Sequence, residues 1–186
     1  MRKMVMIGAA ALAAAGAGLP AAAAQYWDYG AWHVTVEEVD TGEDLRRSCT
    51  AYTGYDGDPG LKFSFSNGDA GPPDFFPDVI VHEYAPRHYK TAMRDGDAAY
   101  VRFDDEDTME AVVRGYLAED VFENAEIVYS HPVSLYVLEA MRRNYQMEVV
   151  VNHEVLHTFY LDGFTAAYLK AAEECGFTGA GLMEGG

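Results

Sequence analysis

Basic residues are scarce in this 186-residue chain: 13 Lys and Arg stand against 30 Asp and Glu, for a net charge of −17. So acidic a surface repels nucleic acid and anionic lipid, which argues against either as a partner. Cysteine is scarcer still, with only Cys49 and Cys175. No CxxC pair or Cys/His cluster accompanies either residue, so a cysteine-based metal knuckle or a redox dithiol is not indicated. Beyond residue 19 no apolar run is long enough to cross a membrane. There is also no phosphate loop, no dinucleotide fingerprint and no nucleophile paired with a base at motif spacing.

The chain opens with Arg2 and Lys3, an uncharged small and apolar stretch from Met4 to Leu19, then Pro20 and alanines to Ala24. Basic n-region, apolar h-region and an A-x-A site read as a secretory signal peptide over residues 1–24, cleaved between Ala24 and Gln25. Removing it leaves 11 basic residues against 30 acidic ones, a net charge of −19. Residues 25–186 are then expected to form a single periplasmic or secreted domain, not membrane-spanning after cleavage, with a disordered tail after about residue 178. In an oxidising compartment two cysteines default to one disulfide, Cys49–Cys175. Closing so long a loop stabilises by roughly 4 to 5 kcal/mol in the chain-entropy model.

Alternating apolar and polar residues predict strands at 31–39, 49–53, 61–66, 79–84, 99–103 and 125–129, separated by turns rich in Gly, Asp and Pro. The segment Met109 to Tyr116 fits helix or strand equally. Val133, Tyr136, Val137, Ala140 and Met141 recur at helical spacing, predicting a short helix over 133–143. Phe164, Ala167, Tyr168, Ala171 and Cys175 do the same for a C-terminal helix, with Asp162 as its N-cap and Gly176 as its stop. The fold class expected is mainly β: an antiparallel β-sandwich or barrel-like domain with two short helices, the last one C-terminal.

One motif carries chemistry. His153-Glu154-Val155-Leu156-His157 spells the HExxH of zinc hydrolases, in which two histidines at i and i+4 of a helix reach one metal and the glutamate polarises the attacking water. On a helix those positions are about 5 to 6 Å apart, whereas four strand residues span roughly 13 Å. Secondary structure therefore decides the chemistry. Val149-Val150-Val151 is a β-branched triplet, Val155 to Leu161 is rich in strand formers, and Asp162-Gly163 closes the segment. A third ligand is also missing at metzincin spacing, where Tyr160 and Gly163 stand, and only Glu173 and Glu174, on the helix that carries Cys175, serve as the downstream glutamate of a thermolysin-like site. Strand, turn at 152–154 and strand is the preferred reading, with no metal or cofactor. A zinc metallohydrolase with ligands His153 and His157 and base Glu154 is the alternative.

Met141-Arg142-Arg143 leading into a strand, then a turn, Tyr160 to Tyr168 and a terminal Cys175, together with the early Trp32, resembles the invasion-associated locus B family of small exported Gram-negative proteins. The resemblance implies a helix, two paired strands and a closing helix around a β-sandwich, with His153 and Glu154 in a hairpin turn. It supplies no catalytic set, and it implies an unknown protein or envelope partner connected with host interaction. In place of the family's Gly-rich turn this chain has Asn152-His153-Glu154.

Other features are weaker. Asp56-Gly57-Asp58 and Asp104 to Asp107 could hold calcium, but neither has EF-hand spacing, and both read as solvated turns. Trp32 reads as core, and Tyr26, Trp27 and Tyr29 as a partly ordered N-terminus rather than a stacking surface. His33 and His131 stand isolated.

Overall fold

The computed structural model describes residues 25–55, 59–118, 122–177 and Leu182. The signal-peptide reading at 1–24, the loop Asp56–Asp58 and the tail beyond Phe177, apart from Leu182, lie outside the described residues. Strands β1 (Gln25–Tyr29), β2 (Trp32–Asp40), β3 (Leu45–Gly54), β4 (Gly60–Ser66) and β5 (Val79–Ala85) come first. They are followed by β6 (Ala98–Phe103), β7 (Thr108–Val112), β8 (Arg114–Ala118) and β9 (Phe122–Tyr129), then helix α1 (Val133–Arg143). The chain closes with β10 (Gln146–Val151), β11 (Glu154–Tyr160) and helix α2 (Phe164–Glu174).

Two antiparallel sheets result, one of seven strands in the order β1-β2-β3-β4-β5-β9-β8 and one of four in the order β11-β10-β6-β7; neither closes into a barrel. The expected mainly-β class with a C-terminal helix is the observed one. Alternation builds the core: Trp32, Val34 and Val36 of β2 are fully buried while His33, Thr35 and Glu37 face away. Inner residues of both sheets and of both helices form one hydrophobic cluster.

α2 packs on β2, β3 and β4, with aromatic contacts to β2 and β4. Phe164 meets Trp32 edge-on at 5.3 Å, and Tyr168 meets Phe63 at 5.5 Å. Full burial of Tyr168 pushes its hydroxyl pKa up. The far end of the helix is tied down twice. Cys175 is bonded to Cys49, with Cα atoms 5.9 Å apart, and Arg47 donates to the Glu174 carbonyl at 2.8 Å while pairing with Glu38.

Three sequence expectations change. Gly163, not Asp162, is the N-cap of α2: its φ of +88° is left-handed, and a side chain there would collide with the Tyr29 carbonyl. Asp162 instead accepts the Ala31 amide through its carbonyl, at 3.1 Å. The N-terminal aromatics are not loose but lie on β1, the edge strand paired residue for residue with β2. Trp27 sits beneath the Lys170 ammonium, 4.6 Å from its ring centre. The ambiguous stretch from Met109 to Tyr116 is two edge strands of different sheets, β7 and β8, joined through buried Val113.

Carboxylates are used as staples. Asp104 accepts the amides of Tyr145 and Gln146, and Asp105 bonds Asn144, so the acidic turn fastens the α1–β10 junction. Glu83 accepts the amides of Ala92 and Met93, and Glu123 accepts the Thr91 amide and Lys90. These two glutamates hold the 86–97 loop so that Met93 is fully buried.

Candidate functional site

The HExxH segment is a hairpin. β10 and β11 pair antiparallel, and the two residues between them, Asn152 and His153, have φ of +51° and +71°, the signature of a type I′ turn. Val149 pairs with His157 but Val150 with Val155, so Leu156 is an extra residue and the strand bulges there. His153 faces a shallow groove over the outer side of the four-stranded sheet, beside Tyr100, Glu110 and Val112. His157 points to the opposite side, its ring 4.6 Å from buried Phe159. Glu154 is exposed at the start of β11, paired with Val151. The helical spacing that HExxH zinc chemistry requires is therefore not met. Among the described residues no group of three His, Cys, Asp or Glu side chains is placed to hold a metal ion.

A more organised surface lies on the outer face of the seven-stranded sheet. Tyr26 of β1 stacks on His33 of β2 at 5.7 Å, His33 contacts Tyr52 of β3 at 5.3 Å, and Tyr52 meets Tyr55 edge-on at 5.7 Å and 73°. Pairing register causes this row: His33 stands directly opposite Tyr52, and Tyr26 is one strand further out. At its outer end Asp28 Oδ1 and Tyr26 Oη lie 2.5 and 2.6 Å from His33 Nδ1. Hydrogen bonds from Tyr26 and His33 hold the Asp28 carboxyl below its usual range, and Asp28 in turn pushes the Tyr26 hydroxyl up to about 12.

The inner end of the row is built at the expense of backbone comfort. Tyr55 has φ +76°, an uncommon conformation for a bulky side chain and a mark of local strain. Its ring rests on Gly60, where any Cβ would overlap three of the ring carbons. Gly60 thus serves as a seat in β4, and burial, with Tyr52 and Glu126 nearby, raises the Tyr55 pKa.

Beyond Gly60 the same face continues through His82, which stands opposite it and bonds Asn124 at 3.0 Å. Tyr84 and Phe122 contact at 5.6 Å, and Tyr116 donates to Glu126 at 3.1 Å. Tyr26, Tyr84 and Tyr116 are each about half exposed.

Of this row the sequence points only to Tyr26, as part of a partly ordered N-terminus, and to His33, as an isolated histidine; strand register brings them together. The available signal was that Tyr26, His33, Tyr52 and Tyr55 fall near strands. Which face they share depends on register. No family model matches the chain, and no curated protein or solved structure is significantly similar to it.

Proposed function

We propose that this protein is an exported, non-enzymatic binding module that acts in the periplasm or outside the cell through the outer face of its seven-stranded sheet. The observation that carries the proposal is the Tyr26–His33–Tyr52–Tyr55 row. Tyrosine offers a large, rigid, amphipathic contact surface with little rotamer entropy to lose, the property that recognition surfaces select. Export is supported by the Cys49–Cys175 bond, which persists in oxidising compartments, and by the leader-like composition of residues 1–24. No helix among the described residues is long and apolar enough to cross a membrane. The resemblance to the invasion-associated locus B family makes a protein or envelope component the partner, with a link to host interaction.

Binding of the purified protein to isolated envelope fractions, compared with a Tyr26→Ser/Tyr52→Ser variant of unchanged circular dichroism, tests this. The variant is expected to lose binding, and undiminished binding would sink the assignment of the face.

A further inference from the structure

Resting on that reading of the tyrosine face, we infer that its inner end is a subsite for a cationic side chain, arginine above all, on a protein partner. The subsite is the corner made by Tyr52 and Tyr55. Their rings meet at 73°, so they form two walls nearly at right angles, and Thr35, Thr50 and Glu37 line the rest of a shallow, open recess of about 350 Å³.

Glu37 is the deciding group. It is exposed on β2 and lines the recess, and among the described residues it has no ion pair within 4 Å and no side-chain hydrogen bond. The cations near it are occupied or elsewhere. Arg47 pairs with Glu38, and Arg46 lies 3.4 Å from Asp44. Lys62 stands opposite Tyr52 on β4 but stacks on no ring; among the described residues the only cation over a ring is Lys170 on Trp27.

Two aromatic walls and a free carboxylate are what a guanidinium needs: ring surface for its plane and two oxygens for its paired N–H donors. The strain at Tyr55 and the Gly60 seat fix one wall in advance, which reduces the ordering cost of binding. The whole chain favours the same occupant. A net charge of −17 draws basic partners and repels acidic ones at long range.

The test is an NMR titration of the purified full-length protein with the tripeptide Ac-Gly-Arg-Gly-amide and its neutral counterpart Ac-Gly-Gln-Gly-amide. Saturable shifts at Tyr52, Tyr55, Thr35 and Thr50 are expected with the first and not the second. Glu37→Gln is expected to weaken binding about two- to fivefold, and Tyr52→Ala by a similar factor, the size of an exposed cation–π contact. Glu110→Gln, on the other sheet, should leave it unchanged. Equal weakening by Glu110→Gln, or none by Glu37→Gln, would mean diffuse charge attraction and overturn the subsite.

A neutral hexasaccharide that shifts the same resonances while the arginine peptide does not would also overturn it, yet leave the tyrosine face standing as a binding surface. An absence of saturable shifts with every one of these ligands overturns the subsite too. The envelope-binding result for Tyr26→Ser/Tyr52→Ser then decides the wider reading separately.

Discussion

Cys49 and Cys175 join the middle of β3 to the C-terminal end of α2 across 126 residues of sequence, and both are buried. The bond closes nearly the whole described domain into one loop, so the entropy it removes from the unfolded chain is large. Replacing the pair by Cys49→Ala/Cys175→Ala should lower the unfolding free energy by about 2 to 5 kcal/mol, read from urea midpoints at constant slope. A change within error would show that the helix is held by its aromatic contacts and the Arg47 bond to Glu174 without the disulfide.

Gly163 starts α2 in a conformation open to glycine, directly against the Tyr29 carbonyl. Gly163→Ala should destabilise the protein by roughly 2 to 4 kcal/mol, combining the left-handed backbone with a steric overlap. Chemical denaturation of the variant checks this, and hydrogen exchange should show β1 and the first turn of α2 loosening together.

The Asn152-His153 turn asks both residues for positive φ. His153→Gly makes it Asn-Gly, the favoured pair for this turn, and should raise stability by about 0.5 to 1 kcal/mol. His157→Ala should cost about 1 kcal/mol through loss of its ring contact with Phe159. Neither substitution should change metal content, since the purified protein is expected to carry no stoichiometric zinc. Elemental analysis that finds one zinc per chain, lost in His157→Ala, would restore the hydrolase reading.

Acid should open the 86–97 loop. The Lys90 ion pair and the Thr91 amide hold the Glu123 carboxyl below its usual range, so its folded pKa lies under the unfolded value. The stabilisation is then fully present above the unfolded pKa and lost as pH falls through the folded one. Exchange of the Thr91 amide should therefore accelerate, relative to its intrinsic rate, as pH drops below the ordinary carboxylate range of about 4. In Glu123→Gln the faster exchange should be present at every pH.

Local chemistry in the sequence settled a good deal. β-Branched runs and alternation placed most of the strands, helical spacing placed α1 over its full observed length, and the β-branched residues around His153 and His157 turned an apparent zinc motif into a hairpin. Two cysteines left only one possible disulfide. These features depend on neighbours within a few residues, where backbone preference and periodicity act. The N-terminal aromatics misled because β1 is too short to announce itself. It is ordered by β2 and by the bond of the following Ala31 amide to the Asp162 carbonyl, both supplied by the fold.

The tyrosine row needed tertiary structure. Tyr26, His33, Tyr52 and Tyr55 belong to successive strands and a loop, and a one-residue slip in any pairing would send a ring to the other face. What the sequence determined by itself was the kind of strand each residue occupies and the acidic, disulfide-forming character of the chain. The fold alone decided that four rings, the Glu37 carboxylate and a glycine seat meet on one surface, because strand register is fixed by burying the opposite face.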